Sequence, residues 1–317
     1  MSDDYLWDGS GEPDPEVERL ERLLGRFKHD RPAPDLAASV APRALHRRRY
    51  VWAAGIAAAL AVAALGFLLL RRETGSWEVA RLEGAPRVGS SAIATTGRLG
   101  VGQWLETDAV SRARINVGAI GEVQVEPNTQ IRLVKARLNE HRLSLKRGGM
   151  SARIWAPPRL FFVDTPSAVA VDLGCAYTLD VDDTGTGRLK VTLGWVAFVN
   201  NGRESVVPSG AECITRPGVG PGTPYYSDAS AAFRGALEKL DFERGGPPAL
   251  AIVLSEARRK DGLTLWHLLP RTAEGERAAV YDKLASLVPP PPGVTRDGML
   301  RLDQRMMDLY KDRIDVL

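Results

Sequence analysis

The sequence predicts a single-pass membrane protein with a short helical N-terminal arm, an all-β module and a small all-α C-terminal region. Three observations predict this fold class: an uninterrupted apolar segment at residues 51–70, short alternating apolar and polar runs between residues 77 and 223, and helical periodicity after Pro224. A chain of 317 residues is long enough for these modules. The predicted boundaries are a cytoplasmic arm at 1–50, a transmembrane helix at 51–70, a juxtamembrane segment with the first strand at 71–90, the β module at 91–226 and the helical region at 227–317.

Charge and motif content exclude several functions. The 42 Lys and Arg residues nearly balance the 39 Asp and Glu residues, so the net charge of +3 gives no case for a nucleic-acid partner. Two cysteines and four dispersed histidines are too few for a zinc site of the usual four-ligand kind. The sequence contains no nucleophile-elbow, Walker, zinc-protease or dinucleotide-binding motif. We therefore expect no catalytic residue, no cofactor and no metal.

The pattern of the N-terminal arm predicts one amphipathic helix over residues 15–28. Asp14 suits the N-cap and Pro15 the first helical position, and the apolar residues that follow recur three and four apart. About fifteen residues are marginal for an isolated helix in water, so the apolar stripe needs a partner chain, a second copy or a membrane surface. A disordered tail with a transient helix is the alternative. The candidate partner-contact residues of the arm are Tyr5, Trp7, Val17, Leu20, Leu24 and Phe27.

The apolar segment at residues 51–70 predicts a transmembrane helix. All twenty residues are Val, Trp, Ala, Gly, Ile, Leu or Phe, and twenty helical residues extend about 30 Å, the thickness of the hydrocarbon core of a bilayer. A buried soluble helix is usually shorter and keeps a polar side, and a cleavable signal peptide would lie nearer the start of the chain. Both alternatives are therefore disfavoured.

Arginine counts orient the predicted span. Residues 36–50 contain four arginines and residues 71–85 contain three, a slight excess that favours a cytoplasmic N-terminus. The β module and the helical region then lie on the outer side of the membrane. Small residues lie four positions apart within the span, as Gly55 and Ala59 do, and this spacing would let two such helices pack closely. A homodimer is therefore an open alternative.

The alternating runs between residues 77 and 223 predict an all-β roll, sandwich or short solenoid. Each run places apolar residues on one face and polar residues on the other. Turn residues separate the runs, as at Pro127-Asn128 and Asn201-Gly202. The predicted strands cover residues 115–117, 122–126, 130–133, 142–145, 177–181 and 189–193.

Several segments of this region resemble, in order, the motifs of the FecR domain family. Residues 102–108 with 111–115 are similar to the family's first motif, and residues 123–129 are similar to its strand and turn. The later segments that follow in the family's order are 143–148, 162–166, 169–174 and 191–196. The resemblance covers about residues 77–215, and several ordered motifs are more specific than one. The motif positions are Gly102, Leu105, Asp108, Pro127, Asn128, Gly148, Thr165, Pro166, Gly174 and Gly194.

The FecR family consists of transmembrane regulators of extracytoplasmic-function sigma factors, with this domain in the periplasm. The resemblance therefore implies a β-solenoid-like fold, an inner-membrane location and an anti-sigma or sigma-regulating role. The partners it implies are an extracytoplasmic-function sigma factor on the cytoplasmic side, membrane lipid, and a periplasmic signal or protein that the sequence does not identify.

Both cysteines of the chain lie in the β module. In an oxidising compartment, Cys175 and Cys213 could form a disulfide that closes a 39-residue loop. Such a disulfide would contribute about 2 to 4 kcal/mol to stability. The sequence favours it, because the only two cysteines fall in one module. Two free buried thiols are the alternative.

Helical periodicity after Pro224 predicts a helical region. Its helices cover residues 228–241, 248–260, 274–288 and 295–314, and together they can bury a small core. Trp266 and His267 lie in an apolar run, where a histidine is more often a packed, hydrogen-bonded residue than a catalytic one. We therefore assign His267 no role.

Two functions fit this organisation. In the first, the protein is a single-pass inner-membrane regulator whose arm holds a sigma factor while the outer modules receive an envelope signal. In the second, it is a membrane-anchored scaffold whose β module binds a glycan or a protein, without sigma-factor control. Replacing Leu20 and Leu24 of the stripe with aspartate distinguishes these two functions. The substitutions should abolish sigma-factor binding by a regulator and leave the outside binding of a scaffold unchanged.

Overall fold

The computed structural model describes residues 15–27 and 75–315 of the chain. The helix in the first range and the unit formed by the second are described separately. The α-helices in these ranges are α1 Pro15–Leu24, α2 Ala231–Phe242, α3 Gly246–Glu256, α4 Gly262–Leu268, α5 Glu274–Leu287, α6 Arg296–Leu300 and α7 Gln304–Asp315. The strands are β1 Ser76–Glu83, β2 Arg87–Val88, β3 Ser91–Ala92, β4 Thr96–Gly100, β5 Trp104–Glu106, β6 Arg112–Asn116, β7 Gly121–Val125, β8 Gln130–Arg137, β9 Glu140–Ile154, β10 Phe161–Asp164, β11 Val169–Asp172, β12 Ala176–Val181, β13 Gly187–Leu193, β14 Trp195–Asn200, β15 Arg203–Pro208, β16 Ala211–Arg216, β17 Gly220–Pro221 and β18 Tyr225–Tyr226.

Helix α1 starts where the sequence predicts. Pro15 occupies its first position, and Glu16 and Glu18 lie in the first turn, where the helix dipole favours negative charge. A 3-10 turn, Gly25–Phe27, extends the helix to the end of the described range. The amphipathic helix predicted for the arm is therefore confirmed over its described residues.

The transmembrane helix predicted at residues 51–70 lies outside the described residues. In the ranges 15–27 and 75–315, no helix combines the length and the apolar composition needed to cross a bilayer. The span and its orientation therefore stay predictions from the sequence.

The strands form two sheets that share β9. The order in one sheet is β4-β1-β6-β7-β9-β12-β13-β16, with β17 and β18 paired to β16, and the order in the other is β3-β2-β5-β8-β9-β10-β11-β14-β15. The first half of β9 pairs with β8 and β10, and the half that starts at Gly148 pairs with β7 and β12. The chain therefore passes from one sheet to the other at Gly148.

Alternate side chains of both sheets meet in one core. Val79 and Ile115 from the first sheet and Leu105 and Leu133 from the second are fully buried members of the same cluster. The polar residues between them face outwards, which is the period-two pattern of a sheet with one buried face. This pattern is what the sequence shows, and the predicted all-β module is confirmed.

The strand directions correct the solenoid expectation. Among residues 75–315, every strand pair is antiparallel except β9 with β10. Short turns can join only antiparallel neighbours, whereas parallel strands need a long crossover connection. The module is therefore a roll of antiparallel strands and not a stack of parallel rungs. Because β1 pairs with β4 and β6, the first strand belongs to this module, which begins at Ser76.

Helices α2 to α7 pack on the last strands of the β module. Their core contains Phe233 of α2, Val253 of α3 and Leu284 of α5, together with Ile214 of β16 and Tyr225 of β18. The helices predicted at 228–241, 248–260 and 274–288 are confirmed to within a few residues at each end. The β module and the helical region thus share a packed boundary.

Two features of the helical region differ from the sequence prediction. The last helix, predicted as continuous, is divided into α6 and α7 around Leu302, whose φ of +59° lies in the left-handed region and interrupts the helix. Helix α4 was not predicted, because nearly all of its residues are buried and the run shows no polar side from which a helical period can be recognised.

Candidate functional site

The apolar stripe of α1 lies on the surface of the helix. Leu20, Leu24 and Phe27 expose 56%, 62% and 80% of their area, and Val17 is half-buried. None of the described residues of the helix is buried. Tyr5 and Trp7, the other predicted contact residues, lie outside the described residues. The structure thus presents four of the six candidates on one short helix.

The exposed stripe is a large apolar surface for so short a helix. Burying one Leu or Phe side chain contributes about 1.5 to 3 kcal/mol. The charged side of the helix contains Glu18 and Arg22, which lie one turn apart with 3.8 Å between their charged atoms. A pair this exposed stabilises the helix by only about 0.3 to 0.5 kcal/mol. A partner that covers the stripe would therefore contribute far more to the helix than its own charges do.

Five of the motif positions meet at one edge of the β module. The Asp108 carboxylate accepts hydrogen bonds from the backbone N–H groups of Val110 (3.0 Å) and Ser111 (2.8 Å), and its carbonyl oxygen accepts one from Asn128 N–H (2.9 Å). Hydrogen bonds from Ser111 and Val110 lower the pKa of the Asp108 carboxyl. Leu105 is fully buried beneath this edge. Pro127 belongs to the same turn as Asn128. Gly148 lies against Thr129, the residue that follows Asn128.

Gly148 lies against Thr129 at this edge. The Thr129 hydroxyl accepts a hydrogen bond from Gly149 N–H at 2.9 Å. The backbone N–H of Thr129 donates to the Thr107 hydroxyl, also at 2.9 Å. A Cβ atom at Gly148 would overlap the Cα and hydroxyl of Thr129. These motif residues therefore close turns against each other.

The other motif positions also serve turns. The Thr165 hydroxyl donates to Ala168 O (2.7 Å) and closes the turn that contains Pro166. Gly174 and Gly194 have positive φ angles, and a Cβ atom at Gly194 would overlap the carbonyl oxygen of Gly174. Gly102, between β4 and β5, has a φ of +87° in open space. In the described structure these motif residues thus serve turns and the packing of the fold.

The two cysteines are free buried thiols, which corrects the disulfide that the sequence favours. Cys213 lies on β16 opposite Leu189 of β13, whereas Cys175 directly precedes β12, beside the far end of β13. The two residues are thus two strands apart, about 10 Å, and about five residues apart along the strand direction. A disulfide requires Cα atoms within about 7 Å, so this register does not permit one.

Cys175 instead donates a hydrogen bond to a buried carboxyl group. Its Sγ lies 2.5 Å from Asp172 Oδ2, and Gly174 N–H donates to Asp172 Oδ1 at 2.7 Å. Asp172 is 1% exposed, and burial raises the pKa of its carboxyl to about 6. Burial also raises the pKa of the nearby Tyr177, whose hydroxyl has no hydrogen-bond partner within the described structure. Asp172 was missed in the sequence, although it is an acid at an inward-facing position of a strand.

We expect Asp172→Asn to remove a pH dependence of stability. The pKa of Asp172 is higher in the folded state than its ordinary value of 3.8, so the folded state holds the proton more tightly. The contribution of this group to stability is complete below about pH 4 and is lost as pH rises through about 6. In chemical unfolding at about pH 4.5 and about pH 7, the wild type should therefore lose stability relative to the Asn variant as the pH rises, because only the wild type contains this carboxyl group.

Asp183→Asn is the control for this measurement. Its carboxylate is 85% exposed at a hairpin turn of the same module. The control should keep the wild-type slope, and a slope that is unchanged in Asp172→Asn would contradict the assignment.

The boundary between the β module and the helices contains a buried ionic cluster. Asp241 of α2 is 4% exposed and accepts from Arg203 Nη2 of β15 at 2.7 Å, and Arg271 Nη1 lies 3.6 Å from the same oxygen. The backbone N–H of Thr223 donates to Asp241 Oδ2 at 2.6 Å. Arg271 also donates to the Ser205 hydroxyl at 2.7 Å. Burial lowers the pKa of Arg271 to about 10. One carboxylate thus connects α2, β15 and the segment after α4.

His267 lies at the same boundary. Its Nε2 accepts a hydrogen bond from Val206 N–H of β15 at 3.2 Å, and burial lowers the pKa of the imidazole well below its ordinary value. The ring makes an edge contact with Trp266, with 4.8 Å between centroids. It is therefore a packed, hydrogen-bonded histidine.

An open cavity of about 590 Å³ adjoins the ionic cluster. Its lining includes charged side chains of both signs, namely Arg203, Glu204, Asp241, Arg244, Arg271 and Glu276. The volume lies in the range of pockets that bind small ligands. Within the described ranges, no group of three or more His, Cys, Asp and Glu side chains is arranged to hold a metal ion.

The cluster was missed in the sequence analysis, although one signal for it exists. Asp241 follows Phe233 and Leu237 at spacings of four residues, so it falls on the buried side of α2. An acid at such a position needs a buried cationic partner. The sequence does not say which of the many arginines provides it.

Comparisons with known proteins identify no family for the chain. No protein-family model matches it, and no curated protein matches it. Two crystal structures of a "putative anti-sigma factor" from Parabacteroides distasonis ATCC 8503 are similar to part of it, each at 13% sequence identity and a TM-score of 0.34. The similarity covers 42% of this chain, and the chain spans 63% and 62% of those two chains. A similarity of this extent supports no conclusion about function.

Proposed function

We propose that the protein is a membrane-anchored regulator whose arm binds an extracytoplasmic-function sigma factor in the cytoplasm and whose outer modules receive an envelope signal. The observation that carries this proposal is the exposed apolar stripe of α1, with Leu20, Leu24 and Phe27 on its surface. The ordered motifs that resemble the FecR domain family supply the class of partner. The protein itself makes and breaks no bond in this proposal.

The stripe supports a helix-in-groove mode of binding. An amphipathic helix binds a partner by laying residues three and four positions apart into an apolar groove, and the stripe has this spacing. A helix of ten residues is marginal alone, so the partner would also stabilise the helix. Binding and folding of the arm would then be coupled. When the helix is no longer held in the groove of the sigma factor, the arm would unfold and the sigma factor would be released.

Regulation would act by population shift. A signal moves an equilibrium only by its different affinity for the two states, so the outer modules must hold or release the arm differently with and without the signal. The cavity beside Asp241 lies between two packed parts of the outer unit, and a ligand there could favour one arrangement of those parts.

The full-length protein with Leu20→Asp and Leu24→Asp is the test. We expect it to lose capture of the sigma factor that the wild type binds, with affinity reduced at least about a hundredfold, because two charged groups replace apolar contacts at the centre of the interface. The assay is affinity capture of the host's sigma factors by the full-length protein in detergent, followed by titration of the one retained.

The matched control is Arg19→Asp with Arg22→Asp. It also places two aspartates on the helix, but away from the stripe, and it should keep most of the affinity. Circular dichroism of both full-length variants would verify that their helix content is equal. If both variants lose binding equally, or if the wild type captures no sigma factor, the proposal is wrong.

A second candidate function is supported by the cavity of about 590 Å³ in the outer unit. A membrane-anchored binding protein for a glycan or a protein would use such a site without any sigma factor. Leu20→Asp with Leu24→Asp should leave its ligand binding and localisation unchanged. Retained outside binding together with no sigma-factor capture by the wild type would favour this candidate.

A further inference from the structure

One edge of the β module is defined by the start of β1, and we call it the N-terminal edge. Ser76 lies opposite Gly100, so the turn after β4 belongs to this edge. Cross-strand pairing joins Asn116 to Glu122, Glu122 to Arg153, Arg153 to Ala176 and Ala176 to Leu193. The ends of β6, β9 and β13 therefore lie at the same level. Gly75, which precedes β1, lies against Ala136, since a Cβ atom at Gly75 would be 2.7 Å from Ala136 Cβ. The hairpin tip at 137–140 therefore also belongs to the N-terminal edge.

The N-terminal edge exposes large apolar side chains from four separate turns. Leu138, Leu193 and Trp155 expose 82%, 67% and 61% of their area, and Val101 exposes 43%. The Trp155 indole N–H donates to Ala119 O at 2.9 Å, so the ring is held by a neighbouring turn of the same edge. An aromatic ring with a satisfied N–H and an exposed body suits the boundary between water and lipid.

Unpaired positive charge accompanies these side chains. Arg137, Arg153 and Arg159 are exposed at this edge, and none of them has an ion-pair partner among residues 75–315. Other basic side chains near the two edges are paired, as Lys135 is with Glu140 at 2.9 Å near this edge and Arg147 with Asp183 at 3.4 Å at the opposite edge. The N-terminal edge therefore offers cations to an anionic surface.

The chain itself brings this edge close to the predicted membrane span. Only residues 71–75 separate the end of the span from Ser76, and five residues reach at most about 18 Å. Two of these residues are arginines, at 71 and 72. The opposite edge lies the length of β1 further away, and eight strand residues extend about 27 Å. If the span crosses the bilayer, the N-terminal edge is the one next to the lipid headgroups.

We infer that the N-terminal edge docks on the headgroup layer of the membrane that holds the predicted span. Trp155, Leu138 and Leu193 insert into the interfacial region, and the unpaired arginines bind anionic lipid phosphates. The apolar contacts give binding to any bilayer, and the arginines add a preference for anionic lipid. This inference rests on the predicted span and is independent of sigma-factor binding.

The test uses the full-length protein in nanodiscs of phosphatidylethanolamine and phosphatidylglycerol. An environment-sensitive fluorophore is attached at Leu138→Cys, and the matched control carries it at Val110→Cys. Val110 is 67% exposed at the opposite edge, and the two native cysteines are buried, so both variants label at one site. We expect a blue-shifted emission at position 138, with quenching by brominated lipid at least about threefold stronger than at position 110.

Two outcomes overturn the inference. One is equal quenching at the two positions. The other is failure of the full-length protein to enter nanodiscs, because the edge then has no bilayer to contact. Sigma-factor capture is measured on the same samples. Equal quenching with intact capture in protein that has entered the nanodiscs contradicts only this inference, and docking without capture contradicts only the proposed function.

A second variant tests the arginines separately. In nanodiscs that contain phosphatidylglycerol, Arg137→Gln with Arg153→Gln and Arg159→Gln should reduce the quenching of the label at position 138. In discs of neutral phosphatidylcholine alone, the wild type and this variant should be quenched equally. Equal quenching in the anionic discs would contradict the role of the arginines.

Discussion

Replacing Gly148 with alanine is expected to destabilise the β module by about 3 kcal/mol or more. Two costs combine. The φ of +90° at Gly148 is unfavourable for a residue with a side chain. The new Cβ would also overlap the Cα and hydroxyl of Thr129, and a backbone atom cannot rotate away. Because β9 passes between the two sheets here, the strain reaches both.

Gly102→Ala is the matched control for this prediction. Gly102 has nearly the same φ, +87°, but no atom lies within 4 Å of a Cβ placed there. The alanine should cost about 1 kcal/mol from the backbone conformation alone. Chemical unfolding followed by tryptophan fluorescence measures both variants, and equal destabilisation would show that Thr129 does not restrict Gly148.

Replacing Asp241 with alanine is expected to destabilise the boundary between the β module and the helices by about 3 to 5 kcal/mol. The substitution leaves the charges of Arg203 and Arg271 without their carboxylate partner, and it leaves the Thr223 N–H without an acceptor. The cost arises because the side chains of Arg271 and Asp241 are only 11% and 4% exposed, so the little solvent at the Arg271 charge does not replace the lost carboxylate. The cavity beside the cluster should change shape as the contacts open.

Glu238→Ala on the same helix is the matched control. Glu238 pairs with Arg216 at 2.5 Å, but both side chains are 33% to 40% exposed, so removing the pair should cost about 1 kcal/mol or less. Unfolding followed by circular dichroism at helical wavelengths compares the two variants. Comparable losses from both would show that the burial of Asp241 does not set its contribution.

Local patterns in the sequence were sufficient for most of the elements. The strands around Val123 and Leu189 alternate with a period of two, and α1, α2 and α5 begin near residues that suit a helix start. These signals depend only on neighbours within a few residues, so they are visible without a fold. Helix α4 gave no such signal, because it is buried on nearly every side.

Register and contacts between distant residues were not visible in this way. The spacing of Cys175 and Cys213 was compatible with a disulfide, and only the pairing of β12, β13 and β16 shows that the thiols lie too far apart. The solenoid expectation failed for the same reason, since strand direction follows from which strands pair.

The sequence by itself determined the order of arm, apolar segment, β module and helical region, and it identified the apolar stripe of α1. Those features follow from hydrophobic periodicity, which each segment carries alone. Only the tertiary structure decided that the motif glycines close turns, that Asp241 joins Arg203 and Arg271, and that Trp155 and Leu138 share one exposed edge. Such groupings depend on how distant strands and helices pack, and packing is a property of the whole chain.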